Sequence, residues 1–139
     1  MPTLFTRIIQ GELPGRFVWR DEVCVAFLSI APIRPGHTLV VPIAEVDHWI
    51  DLEPHDASHL MQVAQTIGKA QQHVFSRARI GLIIAGMEVP HAHLHVIPIY
   101  RESDLHFENA DPNAPADQLD EAADKIRSAL ADLGYTNVG

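Results

Sequence analysis

The stretch Val89-Pro90-His91-Ala92-His93-Leu94-His95-Val96-Ile97-Pro98 alternates histidine with apolar residues, and the rest of the chain is placed around it. Along a β-strand, successive side chains point to opposite faces. His91, His93 and His95 then share one face, about 7 Å apart at each two-residue step. Ala92, Leu94 and Val96 share the other face and enter a core. A row of imidazoles near neutral pH suits two chemistries. One is metal binding, with two rings two residues apart reaching one ion. The other is phosphoryl or nucleotidyl transfer, with one ring as nucleophile and the others as hydrogen-bond or proton partners. The bland alternative is a half-exposed strand that carries histidine without a site.

Just upstream of this stretch, Gly86-Met87-Glu88 turns the chain into it. The run Arg79 to Ala85 is apolar on both faces and predicts a strand buried on both sides. Farther back, Pro35-Gly36 delivers the chain into His37-Thr38-Leu39-Val40-Val41-Pro42, a strand that opens on a histidine. At a strand end, His37 faces a site or merely caps the loop. Arg16 to Arg20 and Val23 to Ser29 read as a hairpin turning at Asp21-Glu22, with Phe17 and Trp19 on one face.

Three helices complete the order. Thr3 to Gln10 is short and stopped by Gly11. A longer helix opens near Pro54, carries Leu60, Val63, Ala64, Ile67 and Ala70 on one face, and ends near Ser76. His55, His59 and His73 read as ordinary residues of its surface. Ala116 to Leu133 repeats the pattern after an irregular segment, Glu102 to Pro115. The expected class is α+β: a five-stranded, mostly antiparallel sheet with helices packed on one side. No linker divides the chain, so a single domain is expected over residues 1–139, with its core over about residues 4–98.

Composition narrows the partners. The formal net charge is −8 over 139 residues, which argues against a nucleic-acid groove. A single nucleotide stays possible, its phosphates held by backbone N–H groups and imidazoles. The one cysteine, Cys24, lies in an apolar run and reads as a core thiol. There is no signal-like start and no long apolar span, so a cytoplasmic protein that does not enter a membrane is expected.

His91-Ala92-His93-Leu94-His95-Val96-Ile97 resembles the signature of the histidine-triad (HIT) family of nucleotide hydrolases and transferases. Similarity extends to Phe5–Pro14, to Ala26–Pro32, to Pro35–Pro42 and to Gly86 before Val89-Pro90-His91. The resemblance implies that His93 attacks the α-phosphate and forms a nucleotidyl-histidine intermediate. It implies that His95 hydrogen-bonds the phosphate or leaving group, and that His91 and His37 set the nucleophile's orientation and tautomer. Ser29, Ile30, Gly86, Met87, Glu88 and Val89 become candidate substrate-binding residues for a purine nucleotide-type ligand. No cofactor and no metal is implied. The family also implies a homodimer whose two sheets join into ten strands.

The chain departs from the family at ligand-side positions. Ser29 stands where many members carry an acidic residue for the ribose. Ile80 stands where a polar residue is usual. Gly86-Met87 replaces glycine-glutamine, and Glu88 stands where some members place serine. A nucleotide-binding module with little turnover is one alternative, and a metal enzyme using His91, His93 or His95 is another.

Overall fold

A computed structural model describes residues 2–139. The elements run α1 (Leu4–Ile9), β1 (Phe17–Arg20), β2 (Cys24–Leu28), β3 (Thr38–Pro42), α2 (Pro54–Val74), β4 (Arg79–Ile83), β5 (Leu94–Ile99) and α3 (Ala116–Asp132). The five strands form one sheet in the order β1-β2-β3-β5-β4, and every neighbouring pair is antiparallel. The expected α+β class and strand number hold.

Each sheet face packs its own core. Cys24, Ala26, Leu28, Val40, Leu94 and Val96 point to α2 and α3. Val25, Phe27, Leu39 and Val41 point to the other face, where Phe5 of α1 covers them. The helices therefore lie on both faces, not on one. This double cover explains why β2 and β3 are buried at every position rather than alternating. α2 starts with Pro54 in its first turn and buries Leu60, Val63, Ala64, Ile67, Gly68, Ala70 and Gln71.

Three strand expectations need correction. First, the register of β1 shifts between Phe17 and Trp19. An extra residue there reverses the facing of the residues after it. Phe17 packs on Phe27 on the α1 face, whereas Trp19 joins the α2/α3 core. Second, β4 is an edge strand, not a doubly buried one, and Leu82 is 39% exposed. Third, β5 begins at Leu94 rather than Val89. Pro42 and Pro90 have no N–H to donate, so the β3–β5 ladder cannot run farther in that direction. The backbone of Ala92 donates to Val46 instead.

The hairpin turn is tied to α2. One Asp21 carboxylate accepts from the Val23 and Cys24 amides, from Trp19 Nε1 and from His59 Nε2, the last at 2.7 Å. His59 is thus part of a packed clamp rather than an ordinary surface residue. Residues 102–109 form two short 3₁₀ turns, Glu102–Leu105 and Phe107–Asn109. Leu105 seats them over Gly81, where a Cβ would fall 2.7 Å from its Cδ2.

Candidate active site

Four histidines meet on the α1 face of the sheet, and each is oriented by a different element. His95 stands on β5, opposite Leu39 and Ile83. His37 immediately precedes β3 and follows Gly36, whose φ of +88° favours glycine. A side chain at Gly36 would also meet the Phe75 ring at 2.5 Å. His91 and His93 lie in the extended chain before β5, outside the ladder. The three triad rings are therefore not evenly spaced along one strand. His93 and His95 are neighbours, with ring centroids 4.8 Å apart, while Phe5 from α1 packs edge-on against both His91 and His93.

The hydrogen bonds fix each neutral ring's tautomer. His93 Nδ1 lies 2.7 Å from the His91 carbonyl. A carbonyl only accepts, so Nδ1 carries the proton and Nε2 keeps its lone pair. His91 Nε2 donates to the Pro42 carbonyl at 2.7 Å, and His91 Nδ1 then accepts from the Thr3 hydroxyl at 2.7 Å. His37 Nδ1 accepts from the Ile33 amide at 3.0 Å, so His37 Nε2 carries a proton and donates it to His95 Nδ1 at 2.9 Å. That leaves His95 with Nε2–H as its outward group. The pair thus offers one lone pair, on His93, beside one donor, on His95.

Burial holds His37, His93 and His95 below the ordinary histidine value. Burial, with His95 and His93 nearby, lowers His37 to about 3. Burial, with His93 nearby, lowers His95 to about 4. Burial lowers His93 as well, although its bond to the His91 carbonyl pulls the other way. An unprotonated ring is the form that can attack.

His37 therefore touches His95 rather than His93, which corrects its expected support of the nucleophile. His91 holds the His93 ring by its backbone carbonyl, while its own ring bears on His93 only electrostatically. Gly86, Met87, Glu88 and Val89 form the loop that leads into His91; Met87 and Glu88 are exposed, Val89 packs against the Phe5 cluster, and the Glu88 charge reaches His93. Ser29 and Ile30 follow β2, and the Ser29 amide donates to the His37 carbonyl. Ile80 does not belong to the site. It lies on the opposite sheet face and packs over Gly68 of α2. Alternation along β4 places Gly81 and Ile83, not Ile80, on the histidine side.

Two site contacts had no motif to announce them. Phe107, from the 3₁₀ turns, sets its ring edge-on against His95 at 5.0 Å. Gln71 of α2 reaches through the sheet from behind and donates to the Gly36 and Val96 carbonyls, which flank His37 and His95. Thr3, the N-cap of α1, likewise reaches the His91 ring without any sequence signal for that bond.

The HIT domain family model matches residues 10–102, a span that holds all four histidines. The chain belongs to the HIT family. A HIT-like protein of Borreliella burgdorferi is 32% identical over 111 residues, covering 75% of this chain and 80% of its own. The asymmetrical bis(5'-nucleosyl)-tetraphosphatase of Schizosaccharomyces pombe is 33% identical over 104 residues, covering 68% of this chain and 57% of its own. Among solved structures, a HIT family protein from Mycobacterium smegmatis, described as Zn-bound, superposes with a TM-score of 0.81 at 27% identity over 94% of each chain.

At the triad, the His93 lone pair is the one ring nitrogen left without a partner that could serve as a ligand in these tautomers. Elsewhere among the described residues, Asp21, Cys24 and His59 bring their ligating atoms within 4.8 Å of one another. Those groups already satisfy each other in the hairpin clamp. Burial and the adjacent Asp21 carboxylate push the Cys24 thiol upward and keep it protonated. Neither set fits a resident metal as it stands.

Proposed function

We propose that this HIT protein is a nucleotide hydrolase or nucleotidyl transferase that cleaves at the α-phosphate. The observation that carries this reading is the His93 lone pair beside the His95 N–H donor. In the proposed step, His93 Nε2 forms a bond to phosphorus while the bond from phosphorus to the leaving group breaks. The electron pair goes to the leaving atom, and His95 Nε2–H hydrogen-bonds the oxygen on which charge develops. Water then cleaves the His93–phosphorus bond, releasing a nucleoside monophosphate and restoring the ring. Amides around Gly86 to Val89 are the proposed main-chain donors to the phosphate, and Ser29 and Ile30 the proposed flank of the sugar and base. We also propose a homodimer as the working assembly, formed through the free edge of β4.

The test measures nucleoside monophosphate release from adenosine phosphoramidate and from dinucleoside polyphosphates. The parent should release product, and His93→Ala should release none. Denaturing the parent at alkaline pH, where a phosphorus–nitrogen bond survives, should leave a nucleotidyl adduct on His93.

A second reading, a binding module with little turnover, draws on two observations. The Ser29 hydroxyl already accepts from the Ala31 amide, and Met87 is 92% exposed. Nucleotide binding without release by the parent would favour it.

A further inference from the structure

A cavity of about 500 Å³ lies behind residues that contact the histidine pair, without itself being lined by His93 or His95, and has no part in the chemistry above. Arg34, Arg101, Ser103, Asp104 and His106 line it. It shares two walls with the histidine site. Ile33, whose amide donates to His37, lines one side. The turn that carries Phe107 against His95 lines the other, through His106 and Glu108.

Arg34 is held there with its donors unused. Its guanidinium lies over the Tyr100 ring, 5.0 Å from the centroid. Its Nε is buried without an acceptor. Neither Arg34 nor Arg101 is in an ion pair within 4.0 Å among the described residues. The Asp104 carboxylate on the same turn feels both arginines, whose charges help the Tyr100 amide hold its pKa low, but it pairs with neither within 4.0 Å. Asp104 Oδ2 accepts from the Tyr100 and Arg101 amides at 2.8 and 3.2 Å. Glu108 leans on His106 at 3.6 Å. A planar guanidinium fixed on an aromatic face, with open N–H groups, matches a phosphate oxygen pair.

We propose that Arg34 and Arg101 form an anion subsite for the phosphates on the leaving side of the substrate. The substrate is then an extended oligophosphate, such as a dinucleoside polyphosphate, rather than a short phosphoramidate. The assignment to the leaving side rests on the hydrolase reading; the anion site itself does not.

The experiment has two arms, run on the parent, Arg34→Gln and Arg101→Gln. Folding of each variant is checked by its thermal melt. In the first arm, inorganic tripolyphosphate is titrated calorimetrically. The parent should bind it, and each variant should bind about tenfold more weakly. Equal affinity in parent and variants, or no binding by the parent, would overturn the subsite. In the second arm, kcat/KM is compared between a dinucleoside tetraphosphate and adenosine phosphoramidate. The ratio should fall about tenfold in Arg34→Gln, and an unchanged ratio would overturn the leaving-side assignment. Arginine-dependent tripolyphosphate binding with no turnover of either nucleotide would uphold the anion site and overturn the hydrolase reading.

Discussion

His93 and His95 owe their division of labour to groups that cannot titrate. The His91 carbonyl fixes one ring, and the Ile33 amide fixes the other through His37. Gln71 in turn holds the chain beside both His37 and His95. Gln71→Leu keeps the bulk of the side chain but removes the donor to the Gly36 and Val96 carbonyls. The Thr38 hydroxyl still donates to the Gly36 carbonyl at 2.8 Å, so the Val96 carbonyl bears most of the loss. Losing a buried hydrogen bond of this kind costs about 1–3 kcal/mol. Urea unfolding should therefore show Gln71→Leu less stable by about 1–3 kcal/mol. A loss below about 0.5 kcal/mol would mean that the helix-to-sheet bonds contribute little.

Among the elements, the two sheet edges differ. β1 is met by the C-terminal segment, where the Arg20 amide donates to the Asn137 carbonyl. β4 has no such neighbour among the described residues, and Leu82 and Ile84 stay exposed beside its free edge. An apolar strand edge of this kind invites a second copy. Light scattering should give the mass of two chains for the parent and of one chain for the double variant Leu82→Lys, Ile84→Lys. The same mass for both would remove β4 from the interface. Most of the elements were legible in sequence because period and punctuation are local. The helix of Pro54 showed its apolar stripe, and the histidine stretch showed its site. The bulge at Val18 was not legible, since one extra residue in a short strand leaves no compositional mark. The edge position of β4 was hidden too, because an apolar run looks the same in the middle of a sheet and at its border. The start of β5 was set by Pro42, a residue about fifty positions away. The partners of Phe107 and Gln71 likewise depend on long-range packing and carry no pattern of their own.

For the whole molecule, buried neutral histidines make stability a function of pH. His37 and His95 are lowered in the fold to about 3 and about 4, from an ordinary value of 6.5. Between those limits the unfolded chain binds protons that the fold does not, so stability falls as pH falls. From pH 7.5 to 5.5, the two rings together should remove about 3 kcal/mol, read from urea curves at each pH. Asp21 acts lower on the scale. Burial works to raise it, but its bonds to Trp19, His59, Cys24 and Val23 outweigh that and hold it at about 2. Its contribution is therefore present above 3.8 and disappears as pH falls toward 2. Loss of stability should thus begin near pH 6.5, the ordinary histidine value, rather than with the carboxylates. A flat profile down to about pH 5 would contradict the neutral rings.

The relay from the Ile33 amide through His37 to His95 also bears on ionic strength. At neutral pH His37, His93 and His95 present dipoles and no net charge, so they meet a phosphate without a Coulombic grip for salt to screen. The chain as a whole carries a formal charge of −8, which repels an approaching nucleotide. Added salt therefore relieves the repulsion at long range while leaving the hold of the imidazoles intact. At the row itself added ions ease capture, whereas the proposed hold of Arg34 and Arg101 on the farther phosphates weakens as ions screen it.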